Sequence, residues 1–297
     1  MDVFAKRGYL KEDFRIFYLK SDDMEEMDAH YHDFDKIVFF LNGNASYRVE
    51  GRTYALEPFD LVLVGHGEVH RPILHETAGY ERMIFYLEPD FLSRAGSLLP
   101  ETTARETNQA PSVSLRDCFT RAKNASSHVL RIPSIRQNRL FRIVSDLKFE
   151  LARLDRYGAR LASRLLLLEF LLEVNRQALS DGALYPDAGE EDAFIIKLLS
   201  YLHAHLAEEL TINRIAEAFY ISPSYLMHRF KRETGSTVGQ YLSRKRLMSA
   251  KDQIRAGTSA TEAAFACGFQ SYSAFFRAYK KTFGVSPAQS LRPKKDP

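Results

Sequence analysis

The chain has 297 residues, 45% of them hydrophobic, with a formal net charge of +3, which allows two or three domains with ordinary cores. Its two cysteines, Cys118 and Cys267, lie far apart and outside any metal-ligand spacing, which argues against a disulfide framework. The longest apolar run, Leu165 to Val174, is broken by Glu169 and too short for a bilayer, and Met1 to Phe14 is too charged for a secretion signal; a cytoplasmic protein with no membrane partner is expected.

Residues 14 to about 88 read as strands. Ile37 to Leu41, Ala45 to Val49, Thr53 to Leu56, Leu61 to Val64 and Met83 to Leu87 are short β-rich runs separated by Asn42-Gly43-Asn44, Glu50-Gly51-Arg52, Glu57-Pro58 and Gly65-His66-Gly67. Tight turns and the lack of a helical period predict a small barrel or jelly roll. Alternation places Lys36, Val38 and Phe40 on one face. His66 and His75 read as surface or turn residues.

Pro89 to Pro133 shows only short helical hints. From Ser134 the pattern sharpens: Leu140, Val144, Leu147, Leu151 and Leu154 recur at spacings of four and three, predicting an amphipathic helix. Leu161, Leu165, Leu168, Leu172, Asn175 and Leu179 continue the rhythm, while Leu166, Leu167, Phe170, Leu171 and Val174 make other faces apolar. Such a helix needs cover on more than one side. The pair serves either as an intramolecular hairpin or as a dimer seam; a homodimer is expected, with Asn175 facing its twin and fixing register. Ser180 to Asp192, with Gly, Pro and five acids, reads as a flexible linker.

From 193 onward sixteen Lys and Arg face seven Asp and Glu, a net +9, against 25 and 31 in the rest, a net −6. The basic end is the candidate for nucleic acid. Within it, Ala263 to Phe269 followed by Gln270 to Phe283 forms a helix-turn-helix pattern, with Arg277, Lys280 and Lys281 on the solvent side. Ile215 to Ile221 followed by Ser222 to Arg232 repeats it. Ala216 and Ala264 are 48 positions apart, whereas Gly235 and Gly284 are 49 apart, so one residue is added in the second turn. Val238 to Arg255 reads as the helix joining the two units. Arg277 suits bidentate bonding to guanine. Met227, Ala274 and Phe276 suit either thymine methyls or inward packing, and Arg229, Lys231, Arg232, Lys280 and Lys281 suit phosphates.

These residues resemble the AraC/XylS transcription regulators. The resemblance covers about residues 193 to 292 and rests on both units, on Val238-Gly239-Gln240-Tyr241, and on the run from Gly268-Phe269 through Phe275-Phe276-Arg277-Ala278-Tyr279-Lys280-Lys281-Thr282-Phe283-Gly284. Two positions depart: Tyr220 stands where glycine is common, and Ser290-Leu291-Arg292 replaces an aromatic-Arg pair. The resemblance implies base-facing positions at Ser224, Met227 and His228, and at Tyr272, Ser273, Ala274, Phe276 and Arg277. It also implies a cupin-type sensor. His30-Tyr31-His32, Lys36 and Gly43 are similar to the first cupin motif, and Gly65 to His70 more loosely to the second. Lys36 stands where metal-binding cupins carry a glutamate. An ammonium offers no lone pair while protonated, so no metal or cofactor is expected. A small polar effector at His30, His32, Lys36 and His70 is the favoured reading, with a polar barrel mouth holding no ligand as its alternative.

The implied protein has a cupin-like β-barrel (jelly roll) sensing domain with an N-terminal arm over 1–133, a helical dimerisation hairpin over 134–180, a flexible linker over 181–192 and an all-α domain with two helix-turn-helix units over 193–297. It would be a DNA-binding transcription regulator rather than an enzyme. Its partners would be double-stranded DNA, a sugar or sugar acid, a second copy of itself and, as an activator, RNA polymerase. The alternatives are a cupin metalloenzyme fused to a DNA-binding domain and a regulator without an effector.

Overall fold

A computed structural model of the chain describes residue 10 and residues 12–21, 27–76, 79–96, 114–133 and 139–291. The N-terminal arm, over residues 1–9, lies outside them. The chain divides into two compact units: residues 1–27 with 32–191, and residues 28–31 with 192–297.

The first unit is built on two antiparallel sheets. Strands β1 (Phe14–Ser21), β2 (Asp35–Asn42), β5 (Leu61–Val64), β7 (Tyr80–Leu87) and β8 (Val129–Leu130) form one in the order β1-β7-β2-β5-β8. Strands β3 (Ala45–Val49), β4 (Arg52–Ala55), β6 (His70–Leu74) and β9 (Glu190–Glu191) form the other in the order β6-β3-β4-β9. The expected cupin-like jelly roll is present as these two sheets, which among the described residues do not close into a barrel. Closure depends on pairings remote in sequence, and strand-forming runs do not encode them. Local turns are better specified: Glu50 and Gly51 both take positive φ between β3 and β4, as a two-residue primed hairpin turn requires.

The larger sheet is buried on both faces, which explains its nearly continuous apolar runs. Alternation along β2 sends Val38 toward the other sheet, where it clusters with Tyr47, Val49, Tyr54, Ile84 and Tyr86. Ile37 and Phe39 face helices α1 (Pro89–Gly96), α2 (Asp117–Asn124), α3 (Arg139–Leu151) and α4 (Ala159–Leu179). Phe170 of α4 stacks on Phe85 with centroids 4.2 Å apart and meets Phe39 edge-on. Burying a side chain of this size contributes about 1.5–3 kcal/mol.

Helices α3 and α4 pack together as the predicted hairpin. The inner face of α4 is Leu167, Phe170, Leu171, Val174 and Ala178, all fully buried. Of the expected seam, Leu161, Leu165 and Leu179 are exposed and Leu168 and Leu172 half-buried. Asn175 does not belong to it. It is 5% exposed and turns inward, where Oδ1 accepts the Cys118 N–H at 2.7 Å and Nδ2 donates to Leu115 O and Leu171 O. Its amide satisfies backbone groups at the start of α2, which removes the register role expected of it.

The expected flexible linker is also corrected. Residues 181–191 run along the first unit, with Arg131 and Leu184 bridged, Pro186 O accepting from Ser127 Oγ at 2.7 Å, and Gly189 N donating to Thr53 O at 2.9 Å. Glu190 and Glu191 then pair with Thr53 and Arg52. The segment has little to bury, yet a sheet edge recruits it through backbone bonds.

The second unit is helical: α5 (Ala193–Ala204), α6 (Ile212–Ala218), α7 (Pro223–Thr234), α8 (Val238–Arg255), α9 (Ala260–Ala266) and α10 (Tyr272–Phe283), closed by a 3-10 turn at Pro287–Leu291. Side chains of Asp192, Thr211, Ser222, Thr237, Ser259 and Ser271 cap α5 to α10 in turn. Gly235 and Gly284 end α7 and α10 with left-handed φ. In the turn between α9 and α10, Gly268 has φ +85°, and an added Cβ would lie 2.6 Å from Ala207 O. The corresponding turn between α6 and α7 places Tyr220 at φ +53° with its ring 96% exposed.

Two outcomes are expected in chemical denaturation of the full chain. Asn175→Leu should lose about 2–3 kcal/mol, because the Cys118 N–H and Leu115 C=O lose their partner, while the association state stays the same; unchanged stability with an altered association state would restore the seam assignment. Gly268→Ala should cost at least about 2 kcal/mol, whereas Tyr220→Gly should gain about 1 kcal/mol by removing left-handed strain.

Candidate functional site

Helix α7 buries Leu226, Phe230 and Thr234, and α10 buries Phe275 and Tyr279. Apolar anchors at i and i+4 fix which face points outward. On α7 that face carries Ser224, Met227, His228, Lys231 and Arg232; on α10 it carries Tyr272, Ser273, Ala274, Arg277, Lys280 and Lys281. Each was predicted to meet base or phosphate. Met227 is 48% exposed, so it does not pack inward, whereas Phe276 is half-buried.

Arg229 departs from the phosphate set. Its guanidinium donates to Asp192 Oδ2 at 2.7 Å and to Tyr225 Oη at 3.2 Å. The bond to Asp192 is the largest cause holding its pKa above the ordinary arginine value. A guanidinium so engaged braces α7 against the start of α5. Tyr225, half-exposed at the first turn of α7, was not picked out from the sequence; an aromatic just after a Ser-Pro cap was the available signal. His203 Nε2 lies 2.8 Å from the Tyr241 hydroxyl.

Residues 28–31 pack with the second unit: His30 Nδ1 lies 2.8 Å from Asp28 O, and Tyr31 meets Tyr241 edge-on. His32, Lys36 and His70 come together inside the sandwich. The Lys36 side chain is 1% exposed, with Nζ 3.3 Å from His70 Nε2 and the Tyr47 and Tyr86 rings at 5.7 and 5.9 Å. His70 Nδ1 lies 2.9 Å from Glu68 O. A carbonyl only accepts, so Nδ1 carries the proton and Nε2 accepts from Lys36. His32 stacks on Phe34 at 4.4 Å and tilts toward His70 at 5.2 Å.

Sequence reasoning missed Arg82. It lies opposite Phe40 in the β2–β7 register, on the same face as Lys36, which lies opposite Tyr86. Arg82 donates to Ser21 Oγ and Tyr80 O and stacks over the Tyr80 ring at 4.2 Å. The run Tyr80, Arg82, Ile84, Tyr86 at period two was the signal. An apparently outward arginine between inward aromatics belongs to the inner face.

Burial, reinforced by the charge of Arg82, lowers the Lys36 pKa from 10.5 to about 7. Asp35, next in the chain, gives no relief because adjacent strand residues point to opposite faces. Its carboxylate is held by Arg116 Nε at 3.0 Å and by the His66 backbone N–H at 2.9 Å. Between about pH 7 and 10.5 the unfolded chain binds the proton that folded Lys36 has lost. Stability from this position therefore rises with pH across that window, and the full penalty is present below pH 7. Lys36→Met should accordingly be more stable than the parent in urea titrations. The gap should be widest below pH 7 and close above it by up to about 1.4 kcal/mol per pH unit. A less stable variant, or a gap that ignores pH, would reject the burial penalty.

Comparisons with known proteins agree with this architecture. The family profile described as AraC-like ligand binding domain matches residues 16–170, more than half of the chain, and that described as Helix-turn-helix domain matches residues 215–292. The HTH-type transcriptional activator RhaS of Klebsiella pneumoniae (strain 342) is 28% identical over 269 residues, covering 87% of this chain and 85% of its own. RhaS of Salmonella arizonae is 33% identical over 124 residues, 41% of this chain and 43% of its own. Among solved structures, a DNA-binding transcriptional dual regulator from Escherichia coli K-12 is 28% identical over 32% of this chain and 86% of that one, with a TM-score of 0.30. With a cupin-like ligand-binding domain followed by paired helix-turn-helix units, the chain belongs to the AraC family of DNA-binding transcription regulators, which are not enzymes.

Proposed function

We propose that the protein activates transcription in response to a small polar effector such as a sugar or sugar acid, acting in the cytoplasm as a homodimer. The observation that carries this reading is the pair of capped helices α7 and α10, each buried on one face and polar or basic on the other. Two such helices suit successive major grooves, about 34 Å apart on one side of the duplex. Ser224, Met227 and His228 of α7, with Tyr272, Ser273, Ala274, Phe276 and Arg277 of α10, take the base edges. Lys231, Arg232, Lys280 and Lys281 take phosphates. Arg277, exposed at the middle of α10, carries most of the discrimination, because guanidinium pairing to guanine is worth about 1–3 kcal/mol.

In the sensing domain, Lys36, His32 and His70, joined by Arg82, form the effector-binding set. The exposed leucines of α4, Leu161, Leu165 and Leu179 flanking half-buried Leu168 and Leu172, supply the dimer contact. The RhaS relatives are named as activators, which supports activation and contact with RNA polymerase.

Selection of bound sites from a randomised DNA pool tests the DNA reading. Arg277→Ala should relax preference at one base pair and cost about 1–3 kcal/mol there. Lys281→Ala should weaken all sequences alike and reduce the salt dependence of binding by about one ion. A uniform loss from both variants would remove Arg277 from its role.

A further inference from the structure

We propose that the effector is an organic anion, bound through its carboxylate or phosphate at Lys36 with Arg82 adding positive potential; this rests on the effector reading above and narrows it. Neutral sugars are then excluded as ligands of this domain.

Lys36 lies on the inner face of a sheet covered on both sides, and among the described residues no carboxylate pairs with it. The acid beside it, Asp35, points the other way and is already held by Arg116. The titratable groups facing Lys36 supply no negative charge. His70 is fixed with Nδ1 protonated against Glu68 O and presents only a lone pair. His32 is stacked on Phe34 and tilted toward His70. Burial pushes the Tyr80 phenol up to about 12 and raises those of Tyr47 and Tyr86, so all three remain neutral hydroxyls. Arg82, 5% exposed, is a second cation on the same face.

A lysine in such a place costs stability, and an apolar side chain of similar length would relieve that cost. An incoming anion supplies what the fold lacks. A neutral sugar would bring hydroxyls but leave the charge uncompensated, whereas a carboxylate or phosphate accepts charge-assisted hydrogen bonds from Nζ and restores the lysine to its charged form. Binding therefore takes up a proton near neutral pH. For a ligand whose own charge is constant, affinity should fall about tenfold from pH 6 to pH 8, given a free-state pKa of about 7.

The test is thermal melting of the full chain with matched probes: galacturonate against galactose, glucose 6-phosphate against glucose, and acetate and inorganic phosphate as minimal anions. The charged member of a pair, or its minimal anion, should raise Tm while the neutral sugar does not. The carboxylate arm against the phosphate arm identifies the group. For a carboxylate probe, apparent Kd should be about tenfold weaker at pH 8 than at pH 6. The shift should vanish in Lys36→Met, whose own melt and DNA binding show that it folds. Stabilisation by a neutral sugar alone overturns the anion proposal and leaves the effector reading standing. Silence of every probe overturns both. An anion shift that survives in Lys36→Met, or that is equal at both pH values, places the anion elsewhere and overturns the assignment.

Discussion

Burial of β2 and β7 on both faces decides where every charged group on those strands can go. Side chains on one face enter a layer shared with helices α1 to α4, and those on the other enter a layer shared with the second sheet. Neither layer offers water. Asp35 goes to the first face and is held by Arg116 and His66, while Lys36 goes to the second and meets only neutral partners and another cation. The two charges are neighbours in sequence yet cannot neutralise each other. The same alternation that packs Ile37 and Phe39 against the helices thus leaves positive charge inside the sandwich.

The helix-turn-helix units were legible because every signal that defines them is local. A Ser cap, an apolar pair at i and i+4 and a terminal glycine all fall within fourteen residues, and they recur 49 positions later. The added residue of the second turn is visible in the structure as the difference between Phe219 to Ile221 and Cys267 to Gln270 ahead of the capping serines. The inward face of Lys36 on β2 was legible for a similar reason, since period-two alternation settles the face. What could not be read depends on distant partners. Asn175 bonds a backbone group 57 positions away, Arg82 reveals its face only through the register with Phe40, and a sandwich differs from a barrel only in which edges pair. Residues 181–191 were misread for a related reason. Their composition reports side chains with little to bury, whereas the sheet edge of β4 binds backbone.

The second unit organises its charge differently. Asp192 caps α5 through one carboxylate oxygen, which accepts the Ile195 N–H, and holds Arg229 of α7 through the other. One acid thereby ties the first helix of the unit to its first recognition helix, and a basic side chain is withdrawn from the DNA-facing set. Lys231, Arg232, Lys280 and Lys281 stand in the last turns of α7 and α10, where the macrodipole favours them, Arg277 lies at mid-helix, and the N-terminal turns carry Ser, Tyr and Ala rather than charge. Position along each helix thus sorts its exposed residues: small polar and aromatic groups in the first turn, lysines and an arginine in the last.

These two treatments of positive charge account for how one chain can read DNA and sense a small molecule. On α7 and α10, lysines and arginines stand exposed on the outward faces, and phosphate contacts of the kind proposed for them are governed by salt. Inside the sandwich, burial and the charge of Arg82 lower the Lys36 pKa to about 7, so its charge is set by its immediate surroundings. A buried cation that the fold does not neutralise raises the free energy of the ligand-free domain, and an anion that neutralises it lowers that of the bound domain. The difference between the two is available to shift a conformational equilibrium. A methionine at position 36 would make the ligand-free domain more stable and remove that difference, which is a physical reason for a lysine to occupy an otherwise apolar layer.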